Sequence, residues 1–162
     1  ELGLANEMAI NQFIAHHSVI FQSEKKRMWV STAPWQCGKY VAYDLNKIFS
    51  DSIDFSHEIH TEPLTLAADS FLQQREYQQL LIYKELIPVL RKHIKKKERL
   101  DEQTLHAFQH ANPHFFYVYE LLGDYYHATG QQNKAIRNWK KALSLPIPKQ
   151  SESERIEHKI NN

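Results

Sequence analysis

The sequence predicts an α+β fold in which a short N-terminal β-hairpin is followed by an antiparallel array of α-helices. Three observations lead to this prediction. Before residue 45, β-branched and aromatic residues form short runs that partly alternate with polar ones. From about residue 66 onward, apolar residues recur every three or four positions. The 162 residues include only 4 glycines, too few for an all-β chain with many tight turns.

The predicted strands lie in the first 50 residues. Phe13 and Ile14, followed by residues 19–21, form an apolar run, residues 22–26 are polar, and residues 27–32 resume the strand pattern. Two such runs joined by about five polar residues are typical of a β-hairpin. Residues 39–43 predict a third short strand. A hairpin is only marginally stable in water, so these strands need more sheet than the rest of the sequence supplies.

Composition divides the chain into a strand segment at residues 1–50, a connection at 51–63 and a helical domain at 64–162. The charge changes sign along the chain. Residues 1–83 carry 6 basic and 10 acidic side chains, a net of −4, whereas residues 84–162 carry 14 and 9, a net of +5. The whole chain has a net charge of +1, so no global field draws it to nucleic acid or to a membrane.

The helical domain begins with a long periodic segment from about Leu66 to Lys97, which Pro88 is expected to kink or divide. A shorter helix is predicted from Asp101 to about Ala111. Asn112 and Pro113 then predict the start of another helix, with Asn at the N-cap and Pro at the first helical position.

Residues 116–147 resemble one tetratricopeptide repeat, a helical hairpin. The matching positions are Tyr119, Leu122, Gly123, Tyr126, Ala135, Trp139 and Ala142. Gly123 is expected to let the two helices approach closely, and Gly130 to end the first helix in a left-handed conformation. Pro146 and Pro148 end the second helix. Residues 151–154 form a capping-box pattern that predicts a last, charged helix at about 152–160.

The repeat resemblance also implies a set of ligand-facing residues on the first helix of the hairpin: Tyr117, Glu120, Asp124 and His127. Their partner would be another protein or a second copy of the chain. Relatives that bind acidic tails carry Lys and Asn at the two middle positions, so the acids at 120 and 124 argue against that ligand. The alternative is that these helices only pack against a neighbouring domain.

A second resemblance covers residues 8–49, through residues 16–21, 28–32 and 34–45. This stretch resembles the C-terminal end of the catalytic domain in acyl-coenzyme A:6-aminopenicillanic acid acyltransferase-like proteins. These are N-terminal-nucleophile hydrolases with an αββα sandwich. The resemblance implies that the hairpin completes one sheet of such a sandwich, and that the chain's partner is the upstream remainder of the same catalytic domain.

That resemblance carries no catalytic residue onto this chain. The family's nucleophile is a Cys freed at a chain N-terminus, whereas this chain begins with Glu1, and the supporting Asn and Arg residues precede the hairpin. Two hypotheses follow. In the first, the chain is the C-terminal part of an amide hydrolase or acyltransferase and is inert alone. In the second, it is a tetratricopeptide-type interaction module.

Other candidate chemistry is weaker. Cys37, with His16 or His17 as a base, lacks a nucleophile pattern, so an ordinary free thiol is predicted. The i, i+4 spacing of His106 and His110 can chelate a metal, but no metal site is predicted. The basic run at 91–99 is interpreted as a solvated helix end, without nucleic-acid binding. No Gly-rich loop suggests a nucleotide cofactor, no cofactor is expected, and no apolar stretch is long enough to span a membrane.

Overall fold

The computed structural model describes residues 2–9, 17–50, 54 and 56–161, and its fold is α+β as the sequence predicts. A three-strand antiparallel sheet is followed by a bundle of about five contacting helices. The chain divides into two compact units. The sheet unit holds the described residues from 17 to 74, and the helical unit combines residues 2–9 with residues 75–161.

The sheet contains strands β1 (Val19–Gln22), β2 (Arg27–Ser31) and β3 (Tyr40–Asp44) in the order β1-β2-β3. A single 3-10 turn, with Lys26 in the left-handed conformation, joins β1 to β2. The predicted hairpin and third strand are therefore confirmed. Phe13 and Ile14, also assigned to the strand pattern, lie outside the described residues.

The pairing register places one apolar set of side chains on a single face of the sheet. Val19 pairs with Val30 and Phe21 with Met28, and the same β2 residues pair with β3. Paired residues of antiparallel strands point to the same side. This apolar face therefore consists of Val19, Phe21, Met28, Val30, Val41 and Tyr43. None of the six is buried, and Phe21 is 67% exposed.

The outer edge of β3 is covered by the chain that follows it. Leu66 exchanges two backbone hydrogen bonds with Tyr40, and the Thr61 N–H donates to the Ala42 carbonyl at 2.7 Å. The Trp29 indole also donates to the Leu64 carbonyl. A short helix, α1 (Leu45–Ile48), begins directly at the end of β3, where the Asp44 side chain accepts a hydrogen bond from the Asn46 N–H.

The first long helix, α2 (Arg75–Lys96), begins nine residues later than the periodicity at Leu66 predicts. The reason is that Leu66 bridges to β3 and that Asp69 caps a 3-10 turn at Ser70–Gln73 instead. Of the two expected effects of Pro88, a kink or a division, the division does not occur, because α2 continues through the proline. One missing N–H donor does not break a helix that buries Leu80 and Leu90 on either side of the proline.

Helix α3 (Glu102–Ala111) is confirmed, with Asp101 as its N-cap accepting from the Thr104 N–H at 2.7 Å. The predicted restart at Asn112 and Pro113 is wrong, because α4 (Phe116–Ala128) begins at Phe116. The Asn112 side chain instead accepts a hydrogen bond from the Leu4 N–H and donates another to the Leu4 carbonyl. Residues 2–9 thus belong with the helices, whereas the sequence predicts that they belong with the strands.

The helical hairpin predicted at residues 116–147 is formed by α4 and α5 (Gln132–Leu143). Gly123 contacts the Trp139 ring, and Gly130 adopts a φ of 77° in the turn. Ala135 and Ala142 are fully buried where the helices meet.

The last helix, α6 (Gln150–Asn161), packs against α5 and starts two residues before the predicted boundary. Ser151 therefore lies inside the helix, and the predicted capping box does not form. The helix is charged, as expected, but it also buries Ile156 completely.

Candidate interaction site on helix α4

The four residues predicted to face a ligand share one side of α4. Tyr117, Glu120, Asp124 and His127 are spaced by three, four and three residues, and such spacings align side chains along one helical face. The sequence forms a helix here because the stretch is rich in Tyr and Leu residues that bury against the bundle. The structure shows what each of the four side chains contacts.

Glu120 is the centre of the site. It is only 2% exposed, yet it carries a carboxylate that three hydrogen bonds from α6 satisfy. The Arg155 guanidinium donates twice, from Nε at 2.9 Å and from Nη2 at 2.8 Å, and the Lys159 ammonium donates at 2.7 Å. A bidentate Arg–carboxylate pair fixes both distance and orientation, so α6 is held in one register on α4.

Asp124 extends the same cluster by one helical turn. The Lys159 ammonium lies 2.8 Å from each Asp124 carboxylate oxygen, and the Trp139 indole N–H donates to Oδ1 at 3.0 Å. Lys159 therefore bridges the two acids of α4. Since Trp139 belongs to α5, three helices meet at this carboxylate pair.

Opposing influences act on the ionisation of Glu120. Burial alone raises the pKa of this carboxyl, but the hydrogen bonds and positive charges of Arg155 and Lys159 outweigh it and hold the pKa below its ordinary value. The pKa of Arg155 is raised, chiefly by its hydrogen bond to Glu120. The cluster therefore stays charged at neutral pH.

The two outer positions contact other helices. The Tyr117 hydroxyl accepts a 2.8 Å hydrogen bond from Arg91 of α2, whose guanidinium also lies 5.8 Å from the Tyr117 ring centre. The His127 Nδ1 lies 2.8 Å from Gln132 Oε1, and its ring lies 5.7 Å from that of Trp139. Tyr117 is half-buried and His127 is exposed, so both remain accessible at the two ends of the face.

Sequence reasoning identified the acidic face but missed the cations that occupy it. Arg155 and Lys159 are four residues apart, as are Glu120 and Asp124, and this matched spacing was the available signal. Nothing local links two segments that are 35 residues apart in sequence. The pairing becomes visible only when α5 folds back and places α6 beside it.

Cys37 is buried, with 1% of its surface exposed. Burial raises the pKa of its thiol, and the nearby charge of Asp69 raises it further. A protonated, inaccessible thiol is a poor nucleophile, in line with the ordinary free Cys that the sequence predicts. His16, one of the two candidate bases, lies outside the described residues.

Within the described ranges, no group of three or more His, Cys, Asp or Glu residues could hold a metal ion. The His106 and His110 rings stack 3.7 Å apart, and His110 Nδ1 lies 3.0 Å from the His106 carbonyl oxygen. In that same part of the chain, no helix is long and apolar enough to cross a membrane.

Comparison with protein-family models, with curated proteins and with solved structures finds no match.

Proposed function

We propose that this chain is the C-terminal part of an N-terminal-nucleophile amide hydrolase or acyltransferase, to which it contributes sheet strands and bracing helices but no catalytic group. The observation that carries the proposal is the incompletely covered apolar face of the sheet, on which Val19 and Phe21 are exposed and the other four side chains are half-buried. Six apolar side chains point to one side, and none of them is buried. A sheet face of this composition is stable in water only when a second layer covers it.

The two edges of the sheet support the same interpretation. The outer edge of β3 is covered by residues 61–66, whereas β1 exposes Val19, Ile20 and Phe21. An exposed apolar edge strand favours pairing with a further strand. The hairpin resembles the C-terminal end of a domain with an αββα sandwich fold. Such a sandwich would supply both a neighbouring strand and a second layer.

The buried thiol fits a supporting role as well. In the family that the hairpin resembles, the nucleophile is a Cys at a chain N-terminus whose own amino group serves as base. Cys37 is internal, buried and protonated. We therefore expect the nucleophile to come from sequence upstream of Glu1.

The test is to isolate the native protein and determine its N-terminal sequence and intact mass. The proposal expects upstream sequence that contains a self-cleavage site, with a new N-terminal Cys that is labelled by an acylating amide or lactone probe. A matched control is Cys37→Ser, which should leave labelling unchanged. The proposal fails if the native protein has no such Cys, or if Cys37 is the labelled residue.

A second candidate function is that of a protein-interaction module, favoured by the acidic face of α4. Glu120 and Asp124 already hold a helix there, through the Arg and Lys of α6. We propose that this face recognises helices with two cations four residues apart.

A labelled peptide of residues 148–162 tests this role in trans, with the full chain carrying Lys159→Gln as receptor. This variant loosens its own α6 without introducing repulsion. The peptide is expected to bind the variant, and a peptide carrying Lys159→Glu to bind about tenfold or more weakly. Equal binding of the two peptides, or none by the first, would refute the interaction role.

A further inference from the structure

Helix α6 contacts the rest of the helical unit through a small set of apolar and charged side chains, as a bound peptide would. Its contacts combine one fully buried apolar side chain, Ile156, with the two cations that flank it, Arg155 and Lys159. The opposite side of the helix is exposed and polar, at Glu154 and Glu157. Helix α6 is contacted on one side only. The small surface around Glu120 and Asp124 therefore determines which helix can bind there.

The spacing of the charges explains the register. Residues four apart on an α-helix are separated by about 6 Å along its axis. Glu120 and Asp124 on α4 therefore match Arg155 and Lys159 on α6, with Lys159 shared between the acids. Lys159 contacts both acids and Arg155 adds a bidentate contact to Glu120, so the two cations together fix the register of α6 on α4.

The segment joining α5 to α6 is six residues long, from Ser144 to Lys149, and lies outside both helices. Pro146 and Pro148 prevent it from continuing the helix. Two contacts with the N-terminal segment hold it: the Asn6 side-chain amide donates to the Pro146 carbonyl at 3.1 Å, and Lys149 lies 2.7 Å from Glu7. The segment is a short connection that can redirect α6 without loss of helical hydrogen bonds.

We propose that the Glu120–Asp124 site also accepts α6 from a second copy of the chain, so that two chains exchange their C-terminal helices. This inference rests on the interaction role proposed for α4. A second copy necessarily carries the one helix that the structure shows to fit the site. The exchanged pair keeps the contacts of α6 with α4 and α5, and it changes the path of residues 144–149 together with their contacts to Asn6 and Glu7. Intramolecular closure favours the single chain in dilute solution, so exchange grows with protein concentration.

Two charge-swap variants of the full chain test the exchange. In the first, Asp124→Lys, the acceptor repels its own Lys159. In the second, Lys159→Glu, the altered α6 is repelled by Glu120 and Asp124 of the same chain. When the two chains exchange helices, the site with Lys at position 124 binds the helix with Glu at position 159. The other site keeps Asp124 and binds the helix with Lys159, so positive and negative charges balance in both sites.

The readout is the molar mass in solution, by light scattering coupled to size-exclusion chromatography. We expect an equimolar mixture to form a 1:1 heterodimer whose melting temperature exceeds that of either variant alone. A mixture that remains monomeric, with the melting behaviour of its components, overturns the exchange. If either variant fails to fold, two populations of the Phe21→Lys chain, each labelled with a different fluorophore, are mixed. Energy transfer that grows with concentration then reports exchange, and its absence at high concentration overturns the proposal.

The outcome also separates the two proposals. If the peptide of residues 148–162 binds in trans but the chains do not pair, the interaction role of α4 stands and the second copy is the wrong partner. If neither the peptide nor the chain is accepted, both proposals fail.

Discussion

Gly123 lies against the indole ring of Trp139 so closely that a Cβ at position 123 would overlap the ring at Cδ1 and Nε1. The same indole nitrogen donates a hydrogen bond to Asp124, the next residue along α4. One glycine thus allows the close approach of α4 and α5 and also brings Trp139 within reach of the acidic pair. The helical hairpin and the charged site depend on the same contact.

Gly123→Ala is therefore expected to destabilise the chain by about 1–3 kcal/mol, because the added methyl group overpacks the contact. The sign is informative, since Ala is favoured over Gly in a helix by about 1 kcal/mol when nothing opposes it. Urea denaturation followed by circular dichroism measures the change. In a double-mutant cycle with Trp139→Phe, the loss should shrink. A Gly123→Ala chain as stable as the wild type would contradict the close approach.

The pH dependence of stability should report the ionisation of Glu120. Its pKa in the folded chain lies below the ordinary value of 4.5, so its ion pairs stabilise the folded state fully above pH 4.5. That stabilisation is lost as the pH falls through the lower, folded-state pKa. Glu120→Gln should cost about 2 kcal/mol at pH 7, and the gap from the wild type should close in acid.

Denaturant melts of both chains from pH 7 to pH 3 measure this gap. Glu157→Gln serves as the control because Glu157 is exposed on the outer side of α6, and it should show no such convergence. A gap that stays constant down to pH 3 would mean that Glu120 is not stabilised as a carboxylate.

The parts of the fold that were predictable from sequence are those set by short-range patterns. The hairpin follows from apolar runs around a polar turn, and Asp101 and Gly130 mark helix ends through local hydrogen bonding and φ. The sequence pattern predicts that residues 66–74 belong to α2, because apolar residues at helical spacing fit equally well in a segment that pairs with a sheet edge and then forms a 3-10 turn. Periodicity does not distinguish the two.

Only the acidic half of the candidate site is predictable from the sequence. The acidic positions follow from the repeat pattern, whereas their cations come from a helix whose position depends on the packing of α5. The prediction of Asn112 as an N-cap is wrong for a similar reason. Its sequence context is that of an N-cap, but its side chain is used by Leu4, a residue 108 positions away. Long-range hydrogen bonds of this kind leave no local signal.

The anchoring of residues 2–9 to the helices yields a third prediction. Asn112 is 3% exposed and satisfies both the N–H and the carbonyl of Leu4. Asn112→Ala leaves both groups without their partner and should cost about 1–3 kcal/mol. Asn133→Ala, at an exposed position of α5, should change stability by less than about 0.5 kcal/mol.

Removal of residues 1–9 provides the matching background. In the shortened chain, Asn112→Ala should cost much less than in the full chain, since Leu4 is gone. An identical cost in both backgrounds would show that Asn112 acts on something other than the N-terminal segment.

The exposed apolar edge of the sheet yields the last prediction. Phe21 is 67% exposed on β1, and its neighbours Val19 and Ile20 are exposed as well. When no further strand or layer covers them, such residues promote association between chains. Phe21→Lys should therefore reduce aggregation of the isolated chain, measured by light scattering over time, while the free energy of unfolding changes by less than about 0.5 kcal/mol.

Met8→Lys is the matched control, because Met8 is also exposed, at 55%, but lies in the helical unit and not in an edge strand. If general hydrophobicity causes the aggregation, the two substitutions should act equally. If the edge of β1 causes it, Phe21→Lys should act more strongly, because a charge on the strand blocks edge-to-edge pairing. The second result is expected if β1 is where the sheet continues into a larger domain, and equal effects would count against that role.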